Sequence, residues 1–254
     1  MPSFAKQLAS ATALLSFCTA VTAQRYGPYV SLGPTSNEIL RSETTYTPGA
    51  MQPNPDELLF LWPGISDAAT PGGDLIQTVA ESHISNTFCG AKKGEWCLAP
   101  YVMHGRVYAE ADKHVAIRAD SKIRIIYKKT ADGKTWIQQT IDTETGKQLH
   151  SYEKGTGDMK GWGTGTESQQ ANRGTAGTQF YIDTVITLAS ADPSFGRTIA
   201  KTGNAKYEGL TSEQGGKVWK IAKITLPPTL SGFRETAYPG ALPKPVNETA
   251  LLME

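Results

Sequence analysis

Four histidines, a few strand-borne acids and one glutamine set among apolar residues are the groups in this 254-residue chain whose types could do chemistry. In "GGDLIQTVAESH" (72–83), Leu75, Gln77 and Val79 alternate with Ile76 and Thr78, so a strand would place an amide among apolar neighbours. Such an amide needs partners for both its hydrogens and its oxygen, or it serves a ligand. His83, His104, His114 and His150 show no H-x-H or H-E-x-x-H spacing, so no metal site is expected, and no cofactor. No G-x-S-x-G elbow is present. Glycoside hydrolysis needs two acids facing one cleft. The strand-borne acids are Glu81, Glu110, Asp112 and Asp183, and Glu110-Ala111-Asp112 reads as a charged turn. Trp62, Trp96, Tyr101 and Tyr181 fall in or beside strands and could wall a site for a sugar or planar ligand, although core packing is the default for each. "YVMHGR" (Tyr101, His104, Arg106) and "IIYKK" (Tyr127, Lys129) hold the side-chain types a polysaccharide lyase needs.

These groups must be carried by strands. "LLFLW", "DLIQTVA", "YVMHGRVYA", "KIRIIYKK", "TWIQQTID", "QLHSYE", "TQFYIDTVITLA" and "VWKIAKITL" follow one another from residue 58 to 226. Asp132-Gly133 predicts a hairpin between two of them. No apolar stripe of helical period is sustained; "PSFGRTIAK" predicts one short helix. The expected architecture is all-β: a β-sandwich or jelly roll of two antiparallel sheets, with a ligand cleft on a concave sheet. Residues 24–57 read as an extended arm, 58–226 as the sandwich, and 227–254 as a proline-rich tail. The glycine-rich run 155–177 reads as a long surface loop over a site.

Residues 1–23 read as a secretory signal peptide, and no later stretch is long and apolar enough to cross a membrane. Cys89 and Cys97, the two cysteines beyond that segment, are expected to form one disulfide in an oxidising compartment. Asn247-Glu248-Thr249 is a glycosylation sequon. A net charge of +1 with mixed signs excludes a nucleic-acid footprint, and self-association is left open.

"FLWPGI…GGDLIQT" resembles the segment of fungal glutamic peptidases in which a W-x-G-I strand precedes one carrying I-L-Q-T-G. That family is a secreted concanavalin-like β-sandwich. The resemblance implies that Gln77 is the amide that holds the oxyanion and the attacking water. It places Gln179, in "TQFYIDT", where the family has its catalytic glutamate in A-E-W-I-V-E-D. A glutamine cannot accept and return a proton, so peptidase activity is not expected. A looser similarity, of size and β-rich character, links the chain to fungal hetero-Diels–Alderases that join tropolone and terpene units.

The first functional expectation is therefore an exported enzyme that promotes a cyclisation or cycloaddition by positioning a small planar or hydrophobic substrate between Gln77 and Gln179. A carbohydrate-binding protein or polysaccharide lyase is the alternative. An inactive peptidase relative, which binds peptide without cutting it, comes third, beside a surface protein with no site.

Overall fold

The computed structural model describes residues 25–52, 58–105, 108–168 and 176–228. The expected signal peptide, Arg106, the sequon at Asn247 and nearly all of the 227–254 tail lie outside the described residues. The strands, in chain order, are β1 (Arg25–Tyr26), β2 (Tyr29–Leu32), β3 (Ile39–Thr47), β4 (Leu59–Ser66), β5 (Leu75–Ser82), β6 (Trp96–His104), β7 (Tyr108–Ala111) and β8 (Val115–Ile117). They continue with β9 (Ile123–Lys129), β10 (Thr135–Asp142), β11 (Gln148–Gly155), β12 (Gly161–Ser168), β13 (Gln179–Leu188), β14 (Ala200–Thr202), β15 (Lys206–Glu208), β16 (Thr211–Glu213) and β17 (Val218–Leu226).

Two antiparallel sheets result. Sheet I runs β14-β2-β12-β4-β5-β6-β7, with β1 on β12 and β8 on β6; sheet II runs β11-β10-β9-β3-β13-β17-β15, with β16 on β17. Strand alternation sends every second side chain into the space between them. Ile76, Ala80, Trp96, Leu98 and Val102 from sheet I meet Tyr46, Ile123, Ile125, Tyr127, Trp136 and Tyr181 from sheet II in one buried cluster. The β-sandwich expected from strand spacing is the observed architecture. The β9–β10 hairpin also forms as read, with Gly133 at φ +71° completing the turn between Thr130 and Thr135.

Three boundaries differ. The segment expected to be an arm supplies β1 and β2 to sheet I and, in β3, a central strand of sheet II. Its inward residues after Ile39 are Ser42, Thr44 and Tyr46, so the buried face carries hydroxyls where an apolar alternation would have announced it. The glycine-rich run is not a loop throughout: 161–168 is β12, between β2 and β4. Its glycines permit close packing, because a Cβ on Gly165 would lie 2.6 Å from the Trp62 ring. The short helix is a single 3-10 turn, Phe195–Thr198, followed by β14.

Candidate functional site

Strand β5 has one face in the core and one on the outside of sheet I. Thr78 lies 3.0 Å from the Tyr127 hydroxyl of sheet II, which fixes Ile76, Thr78 and Ala80 as inward. Gln77, Val79 and Glu81 therefore point outward. On the neighbouring strands the register sets Gly64 and Tyr101 beside Gln77, Ala99 beside Val79, and Phe60 and Cys97 beside Glu81. Trp62 shares this outer face and lies against Gly165. Glu167 comes next to Phe60 on the same row as Glu81.

Tyr101 is registered with Gln77, yet its hydroxyl reaches Glu81, so its ring lies along the Val79–Ala99 pair. The hydroxyl donates to Glu81 Oε1 at 2.5 Å. His114 Nε2 lies 3.1 Å from that same oxygen and 3.0 Å from the Tyr101 hydroxyl. His83 Nε2 lies 2.8 Å from Glu81 Oε2. The carboxylate is buried at 3 % exposure, while the His83 and His114 side chains are 28 % and 23 % exposed. Burial pushes the Glu81 carboxyl up, but hydrogen bonds from His114, His83 and Tyr101 outweigh it and hold the group at about 2. Glu81 is thus an ionised acceptor at physiological pH, and the accessible proton carriers around it are two imidazoles and a phenol.

The connection from β5 to β6 frames this cluster. Asn86 Oδ1 accepts from the His83 backbone N–H at 2.9 Å, and its Nδ2 donates to the carbonyls of Glu81 and Glu95 at 3.1 and 2.9 Å. The expected Cys89–Cys97 disulfide closes the same segment onto β6. Phe88 stands above the histidines, its ring meeting His83 edge-on at 4.9 Å and His114 at 5.1 Å.

The expected site residues separate. Gln77 is on the outer face, 9 % exposed, and its Nε2 donates to Met103 Sδ at 3.7 Å, a weak acceptor. Gln179 is on sheet II and fully buried; its Nε2 donates to Thr166 Oγ1 at 2.6 Å and its Oε1 accepts from the Tyr181 hydroxyl at 3.1 Å. The two amides lie on opposite sides of sheet I and do not converge. Trp96 and Tyr181 are core residues: Trp96 donates to the Gly49 carbonyl at 2.9 Å, and Tyr181 stacks on Tyr46 with ring centroids 4.9 Å apart. Of the four expected wall residues, Trp62 and Tyr101 are on the outer face.

The remaining expectations are placed as follows. His150 is buried between Thr140 Oγ1 and the Lys113 carbonyl, at 2.6 and 2.9 Å. His104 pairs with Glu110 at 3.0 Å, and Glu110, read as part of a turn, lies in β7 and also binds Lys154. Tyr127 is in the core and Lys129 is held by Glu38 and Asp158. Among the described residues no group of three or more metal-ligating side chains could hold an ion. His83 and His114 were seen in the sequence as residues without metal spacing, and their union on Glu81 was missed. The signal available was the i, i+4 spacing of Gln77 and Glu81, which sets both on one face of a strand.

No family model matches this chain, and no curated protein is similar to it in sequence. Its fold is similar to that of scytalido-glutamic peptidase, solved with a peptide-based transition-state analogue (TM-score 0.50, 11 % identity) and with a transition-state analogue inhibitor (0.51, 12 %). Each comparison covers 79 % of this chain and 98 % of the peptidase. A Bacillus licheniformis β-glucanase is more distant, with TM-score 0.25 and 10 % identity over 82 % of this chain and 68 % of the glucanase. At these identities the likeness concerns the fold: a concanavalin-like β-sandwich.

Proposed function

We propose that the protein is an exported carbohydrate-active enzyme of the lyase type, with Tyr101, His114 and Glu81 as its proton-transfer centre. The observation that supports this most is the Tyr101 hydroxyl set between an ionised buried carboxylate and a partly exposed imidazole, at 2.5 and 3.0 Å. In a β-elimination a base removes the proton beside the carboxyl group of a uronate, the glycosidic carbon–oxygen bond breaks, and an acid protonates the leaving oxygen. His114 takes the first proton on Nδ1 while its Nε2–H stays on Glu81, which stabilises the imidazolium that forms. Tyr101 gives its proton to the leaving oxygen and is recharged from His114 across the 3.0 Å contact. The weakly engaged amide of Gln77 supplies a hydrogen-bond donor on the same face. Export is supported by the disulfide, which suits an oxidising compartment, and by the leader-like first 23 residues.

The cyclisation reading needed two amides on one substrate, and Gln77 alone remains for it. Glutamic-peptidase chemistry needs a carboxyl group next to the amide, and the strand neighbours of Gln77 are Gly64 and Tyr101.

The test is incubation of the mature protein with pectate, alginate and hyaluronan while ultraviolet absorbance of unsaturated uronate is followed. Product is expected from the wild type, and Tyr101→Phe should lower turnover by about 10²- to 10⁴-fold with binding retained. An absence of product from every uronate polymer would sink the lyase reading.

A further inference from the structure

We infer that Phe88, on the disulfide-closed connection from β5 to β6, is the binding platform for one sugar ring of an acidic glycan, seated over the two histidines. This inference rests on the carbohydrate reading above. Phe88 and Ile84 are the large hydrophobic residues most open to water among those described, at 55 % and 73 % exposure, and both lie in this connection. They are not on a loose tip. Asn86 ties the segment to the His83 backbone N–H, to the Glu81 carbonyl in β5 and to the Glu95 carbonyl just before β6, and the disulfide ties Cys89 to β6. A rigid segment therefore holds an aromatic ring in water directly against His83 and His114.

The chemistry of such a place is two-sided. Above is an aromatic surface; below are imidazoles and a phenol gathered on a carboxylate. A pyranose has the matching character, with an apolar face of C–H groups and a rim of hydroxyls, so it can stack on the ring while its edge meets the polar groups. The same disulfide-closed segment carries Lys92 and Lys93, both exposed, and its one acid, Glu95, is turned back onto the Lys92 backbone N–H at 2.8 Å. The positive charge there favours a carboxylate-bearing sugar over a neutral one. Phe88 is a binding residue in this scheme and takes no part in proton transfer.

The experiment compares wild type, Phe88→Ala and Phe88→Trp by calorimetric titration with uronate and neutral oligosaccharides, and by turnover of uronate polymers. Phe88→Ala is expected to weaken uronate binding and raise KM by about tenfold or more, with kcat and its pH profile unchanged, while Phe88→Trp retains binding. An unchanged melting temperature in both variants is expected from a half-exposed side chain and excludes misfolding as the cause. If the wild type turns over a uronate polymer and Phe88→Ala has the same KM, the platform is wrong and the lyase reading stands. If no polymer is cleaved but uronate oligosaccharides bind in a Phe88-dependent way, the platform stands and the lyase reading falls. If no glycan binds, both fall.

Discussion

The two faces of β5 hold the same kinds of polar group under opposite terms. Inside, amide, phenol and hydroxyl close on one another: Gln179 is used up by Thr166 and Tyr181, and Thr78 by Tyr127. Burial raises the phenols of Tyr46, Tyr127 and Tyr181 beyond any working pH, so these groups hold shape and exchange no protons. Outside, Gln77 has a thioether for a partner, and Tyr101 shares its proton environment with two partly exposed histidines around one ionised acid. Polar chemistry at Gln179 and Thr78 inside this sandwich is structural because each donor there meets an acceptor of fixed protonation. On the outer face it can respond to a ligand because imidazoles are in the network.

That contrast is tested most strongly at Glu81. A carboxyl group lowered from 4.5 to about 2 on folding contributes stability that is present above pH 4.5 and is lost as the pH falls through about 2. The shift corresponds to roughly 3 kcal/mol. Glu81→Gln keeps the shape and removes the titration. Urea unfolding from pH 7 to 2 should show the wild type losing roughly 3 kcal/mol more than the variant across that window. The variant should already be weaker at pH 7, because two imidazoles and a phenol then face a neutral amide. Other lowered acids, such as Asp74 and Glu43, remain in both proteins and cancel in the difference. Parallel curves would mean that Glu81 is not the anchor of the outer cluster.

The interior makes the next prediction. Gln179→Ala strands the Thr166 hydroxyl and the Tyr181 hydroxyl in a dry space, and stability should fall by about 2 kcal/mol in urea titrations. Any activity should survive in proportion to the folded fraction, since the residue is separated from the outer face by sheet I. A stable variant with lost activity would reverse the assignment of the two glutamines.

How far these faces were legible in the sequence follows from which pattern each one used. The β9–β10 hairpin was legible because Asp132-Gly133 is a local signal, and the disulfide because only two cysteines lie beyond the leader-like first 23 residues. β12 was illegible because Gly161, Gly163 and Gly165 offer no side chains to alternate; at Gly165 the space is filled by Trp62 from another strand. β3 was illegible for the opposite reason, since its inward side chains after Ile39 all carry hydroxyls, and one of them, Thr44, is paired with Thr184 on β13. Gln179 and Tyr181 could be placed on one face by spacing, but nothing local says which sheet a strand joins or which way that face looks. The Glu81 cluster has the same origin: His114 is 33 residues from its acid, and only the crossing of β5, β6 and the segment before β8 brings them together.

The smallest expected effect on stability is at Gln77, and it decides what that residue is for. An amide whose donated bond goes to Met103 Sδ at 3.7 Å gives the fold little, so Gln77→Ala should cost less than about 1 kcal/mol. On the function proposed above, a ligand completes the hydrogen bonds of this amide. Gln77→Ala should then weaken uronate binding or turnover by about tenfold, against no loss per folded molecule for Gln179→Ala. Equal stability losses for the two variants, with binding untouched in both, would make Gln77 one more satisfied polar group. The working part of the outer face would then shrink to Tyr101, His114, His83 and the acid beneath them.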